Sequence, residues 1–402
     1  MSFSLFFYQS YFSLTVFFLL GLLGGNDFDS KWIWIVICCV YIIGCSQRVP
    51  LEKVSLILLI GLDRTSNGDI KVGTSIPLFH HKQQKSTIEH WTQASTVYNG
   101  FSKIDTKLTG YLTASKAEII LIGKKLAQEA NWLQELDSSY RDPYATINAK
   151  VVLVDGPAEE IFKIYKPSKP SLSSYINGVI ESSIQNNQSV SSTIQQLMRE
   201  QNEDGMTQTV PIIKKTKNEI DTVGIAFLDQ KGKYLTCIPK KNVKFFNLIN
   251  KPKSNGRMIL HLALPPKNSN KKTNTSIFVQ NATRKVDVTF QNGKFVFNLD
   301  IYANVALIEK NNPNLIKGYY DNKKNINNLK SAIQKEINNN LQNILNEIQQ
   351  NKIDPIGLSL YARAFQYKEW KKVKRDWSQA LAEAKINVKT HVKIKDTGTI
   401  RN

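Results

Sequence analysis

Residues 354–377 read DPIGLSLYARAFQYKEWKKVKRDW, and residues 385–395 read KINVKTHVKIK. The second stretch alternates. Ile386, Val388, Val392 and Ile394 fall on one side, and Lys389, His391, Lys393 and Lys395 on the other. A period of two with one apolar side is the pattern of a half-buried strand. The first stretch opens on Asp354-Pro355. Proline disfavours helical geometry at the residue before it, so this pair is expected to stop the preceding helix. Gly357 is expected to allow a tight reversal. Trp370 and Trp377, seven apart, are expected to share one helix face against a sheet. Upstream, Ile326, Leu329, Ile333, Ile337, Leu341, Ile344 and Ile348 recur at steps of three and four. That stripe predicts a long amphipathic helix over 326–348, packed across a sheet. A helix, a stop, a broken helix and a strand in succession set the class as a mixed α/β (α+β) fold with mixed sheets.

The rest of the chain extends this alternation. Aliphatic runs predict strands over 54–60, 117–122 and 146–154. Asn67-Gly68 and Asn292-Gly293 are hairpin turns, because both residue types accept positive φ. They join 54–60 to 70–78 and 285–291 to 294–303. Further strands are expected over 222–228, 234–238, 257–264 and 276–281. Helices are expected over 101–112, 124–138, 158–165, 172–184, 190–200 and 241–249. Residues 201–208 are polar and contain Gly205, so the main boundary is placed there. The expected organisation is 1–44 as hydrophobic N-terminus and signal, 45–205 as an N-terminal domain, and 206–402 as a C-terminal domain.

The N-terminus shows how the chain meets a membrane. Phe3–Leu23 is uncharged and long enough to cross a bilayer. It is either a transmembrane helix or sequence upstream of the true start. Trp32–Gly44 is 13 mostly apolar residues behind Lys31, the length of a signal-peptide core. It ends Ile42-Ile43-Gly44-Cys45 and turns polar at Ser46-Gln47-Arg48. This is similar to a bacterial lipobox. Gly44 is small enough for the cleavage site, and the Cys45 thiol would carry the diacylglyceryl group.

Composition narrows the remaining choices. The chain has 402 residues, 42% apolar and 21% charged, which excludes a disordered chain, a collagen and a coiled-coil rod. Four cysteines without a Cys-x-x-Cys pair exclude a disulfide scaffold and a zinc-finger array. The net charge is +20. Cleavage after Gly44 would remove Lys31, Asp27 and Asp29 and raise it to +21. On an exported chain that excess suits an anionic lipid surface rather than nucleic acid. Dinucleotide, phosphate-loop, nucleophile-elbow and zinc-protease motifs are absent from the sequence. Adjacent His80 and His81 have no acidic or Cys neighbours, and Cys237 reads as a small buried apolar residue. No catalytic residue, metal site or cofactor is expected.

In order along the chain, several segments resemble one family, the Ger(x)C lipoproteins, C subunits of bacterial spore nutrient germinant receptors. They are the lipobox at Cys45, Ile57–Asp63 with its Gly-Leu-Asp, Ala117–Ala127, Tyr140–Pro143, Val223–Phe227 with Lys233–Leu235, and above all Asp354–Trp377 with Ile386–Gly398. The resemblance implies a non-catalytic protein of about three subdomains, lipid-anchored on the outer face of the spore inner membrane. It also implies assembly with A and B receptor subunits, with the nutrient itself bound elsewhere in the complex. A solute-binding lipoprotein is the competing class, but two similar lobes of repeated βα units are not found.

Overall fold

The computed structural model describes residues 53–78, 87–141, 146–164, 171–250, 256–264, 273–310 and 323–396. All of them lie in one unit, Glu52–Asn402. Gly44 and Cys45, His80 and His81, and the lysine cluster 267–272 lie outside the described residues.

Ten strands build the first half: β1 (Val54–Leu56), β2 (Leu59–Arg64), β3 (Ile70–Pro77), β4 (Thr87–Ala94), β5 (Tyr111–Thr113), β6 (Ile119–Gly123), β7 (Lys150–Val154), β8 (Gln208–Thr216), β9 (Glu219–Leu228) and β10 (Tyr234–Pro239). Eight of them form one sheet in the order β10-β9-β8-β7-β6-β2-β3-β4, and β1 pairs with β5 apart from it. The centre, from β2 through β6 and β7 to β8, is parallel, and both flanks are antiparallel. The sequence explains the centre. Ile119–Gly123 and Val151–Val154 are unbroken aliphatic runs buried on both faces, as parallel strands require.

Helices cover both faces. On one lie α1 (Val97–Asp105), α2 (Lys124–Ala127), a 3-10 turn at Trp132–Leu136, with α3 (Asp137–Arg141) directly after it. On the other lie α4 (Ala158–Phe162) and α5 (Leu172–Gln185). The helix α6 (Ile194–Gln201) returns to the first face through Ile194 and Leu197.

The second half is built on β11 (Met258–Leu264), β12 (Thr273–Gln291), β13 (Lys294–Lys310) and β14 (Lys385–Asp396), hydrogen-bonded in that order. Asn292 and Gly293, at φ 50° and 78°, turn β12 into β13 as the Asn-Gly pair requires. Strand β14 runs parallel to β13, so the intervening chain must cross over one sheet face. That crossover contains α8 (Lys323–Gln350), α9 (Leu358–Phe365), α10 (Tyr367–Val373), a 3-10 turn at Lys374–Asp376, and α11 (Trp377–Glu383). Leu329, Ile333, Ile337, Leu341, Ile344 and Ile348 of α8 are all buried in the same core as Phe297, Leu299 and Ile301. Helix α7 (Lys240–Asn250) joins the two halves, with Phe246 edge-on to Phe227 of β9 at 5.6 Å.

Several elements differ from the sequence reading. The run 54–60 is two strands: Ile57 N–H bonds Thr113 and Leu58 N–H bonds Ser75, so the chain changes partners there. The helix expected over 101–112 is α1, which starts earlier because Thr96 caps it by accepting from Asn99 N–H. Its expected end, Tyr111-Leu112, is strand β5. The helix expected over 124–138 breaks into three pieces, with Asn131 at φ 64°. Residues 276–281 and 285–291 are one strand, because bulges absorb the change of face. The eight-stranded sheet runs across the 205/206 boundary, since β8 to β10 belong to it.

The long helix also ends before Asp354-Pro355. Ile353 N–H bonds the Ile348 carbonyl, Lys352 N–H bonds that of Gln349, and Lys352 sits at φ 55°. This is a Schellman stop with lysine in the left-handed position usually given to glycine.

Candidate functional site

The site is the block that follows this stop, and Asp354 is its centre. The side chain is 1% exposed. Its Oδ1 accepts from Leu358 N–H at 2.8 Å, and its Oδ2 accepts from Ser359 N–H at 2.7 Å and from Trp377 Nε1–H at 3.0 Å. The first two bonds satisfy orphan donors at the start of α9. The third fixes the indole of α11 across the turn. Burial pushes the Asp354 carboxyl above its ordinary range, and the backbone donors of Ser359 and Leu358, then Trp377, pull it back.

Gly357, at φ 72°, occupies the position before α9. Pro355 carries no N–H into the turn. The turn can therefore fold Leu358 and Ser359 back over the carboxylate four and five residues behind them.

Trp370 and Trp377 do not share a helix face, because the 3-10 turn at Lys374–Asp376 separates α10 from α11. The two rings serve different neighbours. Trp377 packs edge-on against Phe295 at 5.5 Å and Phe297 at 6.4 Å. Trp370, 4% exposed, stacks on Tyr367 at 6.1 Å. The Arg363 guanidinium lies 5.7 Å from its ring centre and the Lys374 ammonium 6.0 Å.

The sequence reading missed what this block holds. Residues 203–207, read as a polar boundary, are clasped to it. Glu203 pairs with Arg363 at 3.0 Å and Asp204 with Lys374 at 3.5 Å. Gly205, at φ 87°, lies so close to Trp377 that an added Cβ would stand 2.6 Å from the ring. Thr207 and Asp354 exchange two bonds: Thr207 N–H to the Asp354 carbonyl at 3.0 Å, and Asp354 N–H to Thr207 Oγ1 at 2.8 Å. A partner 147 residues away leaves no periodic signal in the sequence. Beside the clasp opens a cleft of about 410 Å³, lined by Arg199 and Met206 from the first half and by Arg284, Leu360, Tyr361 and Phe365 from the second.

Asp63, at the end of the Gly-Leu-Asp segment, works in the same way in the first half. Its Oδ1 accepts from Ala158 N–H at 2.8 Å and its Oδ2 from Glu159 N–H at 3.0 Å, capping α4 from a neighbouring strand. Gly123 gives it room, since a Cβ there would overlap the carboxylate. Burial pushes the Asp63 carboxyl up, opposed by those two N–H donors. Among the described residues no group of three His, Cys, Asp or Glu could hold a metal ion. Among them, too, no helix is long and apolar enough to cross a membrane.

Two family models match this chain. The spore germination protein N-terminal domain matches residues 47–215, and the spore germination B3/GerAC-like C-terminal domain matches residues 223–398. The chain belongs to the Ger(x)C family of spore germination proteins. Among relatives, the Ger(x)C chain is 21% identical over 373 residues to spore germination protein GerQC of Bacillus cereus, covering 92% of this chain and 99% of that one. It is 25% identical to spore germination protein B3 of Bacillus subtilis (strain 168) over 126 residues, 30% of this chain and 32% of that one. The crystal structure of the GerBC protein shares the fold, with a TM-score of 0.57 at 16% identity, covering 84% of this chain and 96% of that one. In this Ger(x)C chain the clasp joins a segment of the first matched region, 203–207, to the 354–377 block of the second.

Proposed function

We propose that this chain is a non-catalytic, lipid-anchored subunit of a spore germinant receptor, needed for receptor assembly and nutrient-triggered germination. The observation that carries the reading is where the family match begins. It starts at residue 47, two residues after Cys45, and runs through both halves to residue 398. The matched region therefore starts just after Cys45, as expected if residues 1–44 are removed and Cys45 becomes the lipid-bearing terminus. In this reading the protein sits on the outer face of the spore inner membrane beside A and B subunits. Its buried carboxylates support the reading as well. Asp63 and Asp354 face N–H donors rather than an open cavity, so they hold helices in place rather than serve acid–base chemistry.

The test is Cys45→Ala in the sporulating host, followed by fractionation and mass analysis of the N-terminus. A diacylglyceryl group buries two chains, which hold firmly where one is marginal. The expected result is uncleaved precursor or protein shed from the spore membrane, with loss of nutrient germination. Full retention of a cleaved, unlipidated Cys45→Ala protein would refute the anchor.

A further inference from the structure

The side of β14 that faces away from the core presents a run of lysines that the lipid anchor does not explain. Lys385, Lys389, Lys393 and Lys395 are all exposed on that side, while Ile386, Val388, Thr390 and Val392 are buried beneath it. At about 3.3 Å per residue the row is about 33 Å long. None of the four has an ion-pair partner among the described residues, whereas Arg363, Lys372 and Lys374 around the clasp each have one. The acid beside the row, Asp300 of β13, is already engaged by His391 Nε2 at 2.6 Å. The His391 ring stacks on Tyr302 at 4.6 Å, and Tyr302 is 47% exposed.

We infer that this sheet face is a docking surface for anionic phospholipid headgroups. The inference deepens the proposed membrane role by naming the part of the body that meets the bilayer. Three features favour lipid over an acidic protein. The row lies on the outer side of the edge strand of a four-stranded sheet, not in the cleft beside the clasp. Its cations are all lysine, which meets phosphate as a mobile point charge; recognition of particular carboxylates favours the arginine fork. At its centre is an amphipathic tyrosine, the residue type enriched where membrane meets water. Lysines also guard exposed strand edges against pairing, so the experiment must separate attraction from protection.

The full chain is reconstituted on vesicles of phosphatidylcholine alone, and of phosphatidylcholine with phosphatidylglycerol at about three to one. Acylation of each lysine by an amine-reactive reagent is read by peptide mass analysis, with Lys217, on the β8–β9 turn, as reference. On the anionic vesicles, labelling at Lys389, Lys393 and Lys395 should fall at least about fivefold, the equivalent of about 1 kcal/mol per lysine at a charged surface. The protection should vanish at about 1 M salt, where the screening length is about 3 Å. Equal labelling on the two vesicle types would overturn the inference and leave edge protection as the role. Protection that appears only with other spore-membrane proteins present would assign the face to an acidic partner, and would overturn it equally. The readout follows named lysines rather than retention, so it remains readable in Cys45→Ala whether or not that residue is acylated.

Discussion

Replacing Asp354 by alanine tests the central claim about the 354–377 block, that one carboxylate organises it. The change removes the cap of α9, worth about 0.5–2 kcal/mol. It also orphans the Trp377 Nε1–H in a fully buried site, which costs about 1–3 kcal/mol. Part of this is returned, because the variant no longer buries a carboxylate whose pKa burial has already raised. A net loss of about 1–4 kcal/mol follows. The folded unit Glu52–Asn402 unfolds with an entropy of about 2.1 cal/mol/K per residue, so the midpoint should fall by about 1–5 °C if the body melts as one. Urea unfolding followed by tryptophan fluorescence reads the free energy, and calorimetry reads the midpoint. Trp377→Phe removes the same hydrogen bond from the other side. The double variant should therefore lose less than the sum of the two singles, by about 1 kcal/mol or more. A loss below about 0.5 kcal/mol for Asp354→Ala, or strict additivity with Trp377→Phe, would refute the reasoning.

Trp370→Ala should cost about 3–5 kcal/mol in the same urea assay, since it empties the space between Tyr367, Arg363 and Lys374. Lys352→Gly should raise stability by up to about 1 kcal/mol, because it relieves a left-handed lysine at the end of α8; a loss would mean that the lysine side chain outweighs its backbone strain. Asp63 has a folded pKa above its ordinary 3.8, so the folded state holds its proton over the window that starts there. Stability from this group is present below that window and falls as pH rises through the folded pKa. The urea midpoint of Asp63→Asn should accordingly decline less than that of the parent between about pH 4 and the folded pKa, and a steeper decline would contradict the sign.

Local pattern and tertiary packing contributed differently. Where one face of an element meets a core and the other meets water, the pattern is written in the residues themselves. The stripe of α8 and the alternation of β14 were legible for that reason, and so were the Asn-Gly hairpins, where φ alone decides. The parallel centre of the first sheet was legible only as apolar runs, because strands buried on both faces lose their alternation. That Val54–Leu56 and Leu59–Arg64 belong to different sheets depends on partners supplied by Thr113 and Ser75, which no local preference records.

The block at 354–377 divides in the same way. Asp-Pro-x-Gly is readable as a turn, but the end of α8 is set three residues earlier by hydrogen bonds at Ile353 and Lys352. The sequence alone determined the class of the fold, its long helix and its final strand. Only the tertiary structure decided that residues 203–207 are a clasp rather than a linker, that Asp354 and Asp63 are helix caps, and that the two tryptophans meet different neighbours within one core. The physical reason is range. Periodicity reports which side of an element is dry, whereas a buried carboxylate is satisfied by whichever donors the chain brings to it, 95 residues away for Asp63 and 23 for the Trp377 indole.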